Sequence, residues 1–375
     1  LYLWHYPVFA IGRTTEFFGD GVSKKLFLIT FILSLISYYI IEKPIKNKKI
    51  TNYKIFTGLS FFYLILILLS FASINENIKA VRGNILKNLS VGDQTSNLTV
   101  CNGNKINKDG YCVFNSKEDK TLILIGDSHM QTLEKPLLEF SNENKFKLVV
   151  LNRPTCFYFL DLDLIIKNKL SGCTAKYQEQ RRKIILSQPN ATVIMGGRTP
   201  LYLSGEGFNN QEGGGDNKKA KGFFYNIKDT PINNKDDNNA LLNKSFNKTI
   251  NDLLNNSIKI VLIYPVPEVG WNVSKKLITR LALNRDGLKG VFESNPLTTS
   301  HEVFMERSKK IHEIYDGIND ENITRIYPEK VLCNSLIKDR CVTHDKSKVF
   351  YIDDDHLSID GAKLIVDRIE KALLY

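Results

Sequence analysis

The sequence predicts a three-layer α/β/α domain built on a parallel sheet and preceded by transmembrane helices, and three observations carry that prediction. After Thr121, short apolar runs alternate with amphipathic stretches, the pattern of parallel strands covered by helices on both faces. Before it lie two apolar stretches, Leu26 to Ile41 and Ile55 to Ile74, neither holding a charged residue. Across the 375 residues, 43% are hydrophobic, 24% charged and 10% aromatic, which supplies a core and excludes collagen-like, coiled-coil and small disulfide-scaffold classes.

At about 1.5 Å per residue, Ile55 to Ile74 is long enough to cross a bilayer core of about 30 Å. Leu26 to Ile41 is shorter, with Lys24 and Lys25 placed to reach the interface along their apolar stems. Two buried core helices are the alternative reading. Between the stretches, Lys43, Lys46, Lys48, Lys49 and Lys54 form a basic hinge, which marks the cytoplasmic side and puts everything after Ile74 outside the cytoplasm. All six cysteines follow Ile74: Cys101, Cys112, Cys156, Cys173, Cys333 and Cys341. Pairing between sequence neighbours, 101–112, 156–173 and 333–341, is one of several connectivities that an oxidising compartment would allow. No C-x-x-C occurs, so a zinc site is disfavoured and no metal is expected.

Residues 75–120, rich in Asn, Lys, Ser and Gly, read as an extracytoplasmic tether. Strands are expected at 121–126, 147–151, 191–196, 258–263 and 323–327, and helices near 129–141, 175–187, 239–255, 301–318 and 358–374. The Gly-, Asn- and Lys-rich segment 204–238 reads as a surface insertion after the third strand. The formal charge of +11 would permit a nucleic-acid partner, but much of it sits in the hinge and the insertion, and no recognition motif accompanies it. Because the chain opens at Leu1 directly into an apolar run, it is expected to be the C-terminal part of a longer protein.

The chemistry is expected at two places. Gly126-Asp127-Ser128-His129 stands where the first strand ends and a helix begins, a turn that presents a serine hydroxyl at the carboxyl edge of the sheet. Asp127 and Ser128 could equally be capping residues. Near the other end, Asp353 and His356 lie three residues apart just before the last helix. There Asp353 can hold one imidazole nitrogen while the other takes the Ser128 proton, the division of labour of a serine triad. A metal site or a solvated cap is the alternative for this acidic cluster. His129 is read as the residue that simply follows the nucleophile, with a positioning role as the alternative, and His301, His312 and His344 as surface residues.

With these residues in view, the sequence resembles the SGNH (GDSL-like) hydrolase-type domain in the form fused to acyltransferase-3 membrane proteins. GDSH at 126–129 is similar to that family's first block and DDDHLS at 353–358 to its last. VIMGGRTPLYL at 193–203, EGG at 212–214 and VLIYPVPEVGW at 261–271 resemble the fused subfamily. LYLWHYPVF at 1–9 and SYYIIEKPIK at 37–46 are similar to the closing helices of the acyltransferase-3 domain. The resemblance implies an SGNH/flavodoxin-like fold and four segments: an acyltransferase-3 remnant at 1–54, a transmembrane helix at 55–74, a linker at 75–120 and the SGNH domain at 121–375.

It also implies a plasma-membrane protein with an extracytoplasmic, periplasmic domain. That protein would transfer an acyl group, acetyl first among them, to a polysaccharide or glycolipid hydroxyl. The acyl donor, acetyl-CoA, would be used by the membrane domain, with no cofactor in the SGNH domain. Ser128, Asp353 and His356 would be catalytic, with Ser128, Gly197 and Arg198 at the oxyanion or substrate. The family's Asn donor is replaced by Gly196-Gly197-Arg198-Thr199, where Arg198 either serves the oxyanion or binds an acidic sugar. A carbohydrate esterase and a non-catalytic carbohydrate-binding domain are the alternative functions.

Overall fold

The computed structural model describes residues 2–15, 22–46, 53, 57–58, 60–65, 67–68, 99–108, 110–167, 169–215, 223–227, 235–282, 284 and 286–374. They fall into two compact units, Leu1–Asn88 with Ile278–Leu283, and Leu89–Leu277 with Asn284–Tyr375.

In the first unit, helix Tyr2–Thr15 precedes a helix over Lys24–Lys46 that is long and apolar enough to cross a membrane. The latter passes through a π-helical stretch at Tyr38–Glu42. Half of the second expected span, 55–74, lies outside the described residues, as does all of the tether from 75 to 98.

In the second unit the strands, in chain order, are β1 (Cys112–Phe114), β2 (Thr121–Gly126), β3 (Lys147–Val150), β4 (Leu162–Ile166), β5 (Lys169–Leu170), β6 (Ala191–Gly196), β7 (Phe223–Ile227), β8 (Lys259–Ile263), β9 (Thr298–Ser300), β10 (Ile323–Ile326) and β11 (Arg340–Val342). The main sheet runs β1-β3-β2-β6-β8-β10. β3, β2, β6, β8 and β10 are mutually parallel, and they are the five strands expected from sequence. Their order reverses between β2 and β6, so the carboxyl ends of these two strands flank the crevice where open α/β sheets bind ligands. β2 is buried along its whole length, consistent with its uninterrupted apolar sequence.

β1 makes the sheet mixed. It lies in the stretch read as tether, yet pairs antiparallel with β3 and is tied by the Cys101–Cys112 disulfide. The buried carboxylate of Glu134 accepts the backbone N–H groups of Val100 and Cys101, fixing the chain against the domain from that point. The other two disulfides are Cys156–Cys173 and Cys333–Cys341, so all three expected neighbour pairs form and no described cysteine is free.

Two small sheets also fall outside the expected list. β5-β4-β7 uses residues 223–227 of the segment read as insertion, and β9 pairs antiparallel with β11. The helix expected from 239 begins earlier, at Lys235. Helix starts follow local chemistry: the side chains of Thr174 and Ser300 cap Ala175–Leu186 and His301–Asp316 by accepting the N–H groups of Tyr177 and Val303. Beneath the carboxyl edge, fully buried Arg181 donates to the carbonyls of Leu151 (2.6 and 3.0 Å), Gly126 (3.2 Å) and Cys156 (3.3 Å) and to Gln178 Oε1 (3.0 Å). One side chain thereby ties the ends of β2 and β3 to the disulfide-bearing loop.

Candidate active site

The site begins with two paired glycines. Gly126 ends β2 opposite Gly196, which ends β6, and a Cβ on Gly126 would sit 2.3 Å from the Gly196 carbonyl oxygen. Only glycine permits that approach. Asp127 then caps the short helix Ser128–Gln131, its Oδ1 accepting the His129 N–H at 2.9 Å. Its Oδ2 accepts the Arg198 backbone N–H at 2.7 Å and the Tyr202 hydroxyl at 2.8 Å, so one buried carboxylate binds the two turns together. A Cβ at Gly197 would stand 2.7 Å from that Oδ2, which gives the second glycine its reason.

The loop before the last helix brings His356 to the serine. Its Nε2 lies 2.8 Å from Ser128 Oγ and its Nδ1 2.9 Å from Asp353 Oδ2. The loop is held by backbone bonds from Val269 and Gly270 to the Asp354 carbonyl and from Val273 to the Asp353 carbonyl. Residues 228 positions apart thus meet across the crevice.

A second carboxylate, not singled out from sequence, also reaches the imidazole. Asp355 Oδ1 is 2.9 Å from His356 Nδ1, while its Oδ2 is 2.6 Å from Arg198 Nη1 and 3.3 Å from His129 Nε2. Arg198 Nε bonds Glu268 Oε1 at 2.7 Å, and Arg307 Nε meets the other Glu268 oxygen at 3.2 Å. Glu268 and Asp355 are both buried, so this ion-pair chain compensates charges that desolvation would otherwise penalise. Burial pushes the His356 pKa down, but its bonds to Asp353 and Asp355 outweigh that and raise it to about 11. Burial likewise opposes the charge of Asp355, yet His129, His356 and Arg198 hold its carboxyl well below the usual range.

Ser128, Asp353 and His356 are therefore brought together, with Gly197 and Arg198 on the facing turn. The backbone N–H of Arg198 goes to Asp127, and its guanidinium engages Glu268 and Asp355. His129 is buried, with its Nε2 3.3 Å from Asp355 Oδ2. His344 is buried too, accepting the Leu297 N–H, and half-buried His312 packs edge-on to Tyr264, so the surface reading fails for both. His129, Asp355 and His356 converge as closely as metal donors do. With Arg198 on Asp355 Oδ2, however, that set already holds a cation of its own and does not fit a metal well.

Over residues 100–371 the chain matches the family model described as the SGNH domain fused to AT3 domains. The chain belongs to this SGNH family. No curated protein matches it in sequence. Among solved structures, the SGNH domain is similar to the periplasmic domain of a lipopolysaccharide acetyltransferase from Salmonella ser. Paratyphi A, at 15% identity and TM-score 0.43, covering 69% of this chain and 84% of that one. A GDSL-like lipase from Bacteroides thetaiotaomicron matches at 9% identity and TM-score 0.36, covering 69% and 91%. An acetyl xylan esterase matches at 12% identity and TM-score 0.34, covering 68% and 100%.

Proposed function

We propose that the SGNH domain transfers an acyl group, acetyl first among them, to a hydroxyl of an envelope or extracellular polysaccharide or glycolipid through an ester on Ser128. The observation that carries this reading is the 2.8 Å contact between Ser128 Oγ and His356 Nε2 at the strand-order reversal. In the proposed sequence, Ser128 Oγ attacks the carbonyl of the donor as its proton passes to His356. The tetrahedral oxyanion is met by the backbone N–H groups of Ser128 and Gly197, and the leaving group departs with the proton from His356. An acceptor hydroxyl then attacks the acyl-serine by the same route in reverse, and water in its place makes the domain an esterase.

The polysaccharide acceptor and the acyl-donating membrane partner are proposed from the family's fusion to AT3 domains. In this proposal residues 1–54 are the end of that membrane domain, 55–74 a transmembrane helix and acetyl-CoA its donor. Three disulfides and the Lys-rich hinge support an extracytoplasmic placement of the SGNH domain.

Proton transfer needs neutral His356, whereas the resting imidazole is held charged up to about pH 11. Only the small neutral fraction can act as base, and that fraction grows with pH. Released nitrophenol from 4-nitrophenyl acetate, measured on the full chain in detergent and corrected for buffer, is therefore expected to rise about tenfold per pH unit between about pH 6 and 9. A rate flat over that range would show that the base is not held charged there.

A further inference from the structure

His356 Nδ1 has two carboxylate neighbours at the same 2.9 Å distance: it hydrogen-bonds Asp353 Oδ2, and Asp355 Oδ1 stands beside it as a second ion-pair partner. Asp353 has a side chain 33% exposed, and its Oδ1 is already engaged in accepting the backbone N–H groups of Asp355 and His356, which shapes the turn. Asp355 has a side chain only 4% exposed, so its field on the imidazole is little screened by water. Its second oxygen is gripped by Arg198 and approached by His129, which fixes the carboxylate plane. Arg198 is in turn anchored on Glu268, and Glu268 on Arg307, whose Nη1 reaches Ser204 Oγ at 2.7 Å.

We propose that Asp355, with its charge partly cancelled by Arg198, is a second positioning residue for the His356 imidazole, acting beside the hydrogen bond from Nδ1 to Asp353 Oδ2. This rests on the Ser128–His356 reading above. It gives the Gly-Gly-Arg departure a role that is neither oxyanion donor nor sugar binder. Arg198 is the counter-ion that lets a second carboxylate be buried against the catalytic base and that weakens this carboxylate's hold on the imidazolium. The groups facing His356 are Asp353 and Asp355 on its own loop and Ser128 and His129 on the nucleophile turn. Beyond them, Arg198 acts after β6 and Glu268 after β8, both through Asp355.

The test is a titration of ring-labelled histidine by NMR on the full chain in detergent, with His356→Gln assigning the signal, beside the pH dependence of kcat/KM. Asp355→Asn is expected to lower the His356 midpoint by about 1–3 pH units even though Asp353 stays in place. The kcat/KM limb should move with the midpoint, which a merely structural role would not produce. Should Asp355→Asn not fold, Arg198→Gln serves, and it is expected to increase the charged fraction of His356 at a fixed pH of about 10 by removing the opposing cation. A midpoint unmoved by Asp355→Asn, or a fall in charged fraction with Arg198→Gln, overturns the proposal. Because the NMR reading needs no turnover, the expected shifts beside a wild-type chain that releases no nitrophenol above buffer would reject the acyl-transfer reading alone.

Discussion

Ser128→Ala is expected to lower nitrophenyl acetate turnover by about 10³-fold or more while leaving the fold intact, because it removes the one hydroxyl that His356 Nε2 contacts. Ser128 Oγ makes no other hydrogen bond among the described residues, and the helix cap is supplied by Asp127. The change in stability should therefore stay within about 0.5 kcal/mol. His356→Ala should cost about 10²-fold or more, and the double variant little beyond Ser128→Ala, since a nucleophile and its base act as one unit. Turnover retained in Ser128→Ala would remove the covalent mechanism.

Arg181→Met should be the most destabilising single change outside the site, at about 3–5 kcal/mol, read as a lower urea midpoint. Its guanidinium is fully buried, and each of its hydrogen bonds given above goes to a neutral oxygen. Methionine keeps much of the apolar stem but leaves Leu151 O and Cys156 O without their Arg181 donors, and an unsatisfied buried acceptor costs far more than a hydrogen bond gains. The loss should fall on activity as well, since Gly126 O is bound from beneath, two residues before Ser128. A cost under about 1 kcal/mol would mean that water replaces those bonds.

Four of the five parallel strands were legible because they are largely buried and so spell apolar runs, TLILIG and ATVIMG most clearly, whereas the edge strand β10, ITRI, carries only two apolar residues. β1, β4, β5 and β7 were not, because they are short or lie among Asn, Lys and Gly, and their pairing is decided by disulfides and tertiary contacts rather than by local pattern. Ser128, Asp353 and His356 could be read because the chemistry needs those types at a strand end and before a helix. Asp355 was hidden in a run of three aspartates, where sequence gives no reason to prefer one. Glu268 left a trace, as the sole charge in the apolar stretch VLIYPVPEVGW, while Arg181 sits in the polar run QEQRRK and left none.

The central claim is that Ser128 carries the acyl group, and covalent capture tests it most directly. Full-length protein, incubated with 4-nitrophenyl acetate and quenched in acid during the approach to steady state, is digested and its peptides mapped by mass spectrometry. The account predicts acetyl on the peptide bearing Ser128, absent from Ser128→Ala and sharply reduced in His356→Ala. Acetyl on other residues alone, with Ser128 unmodified while nitrophenol is released, would contradict it.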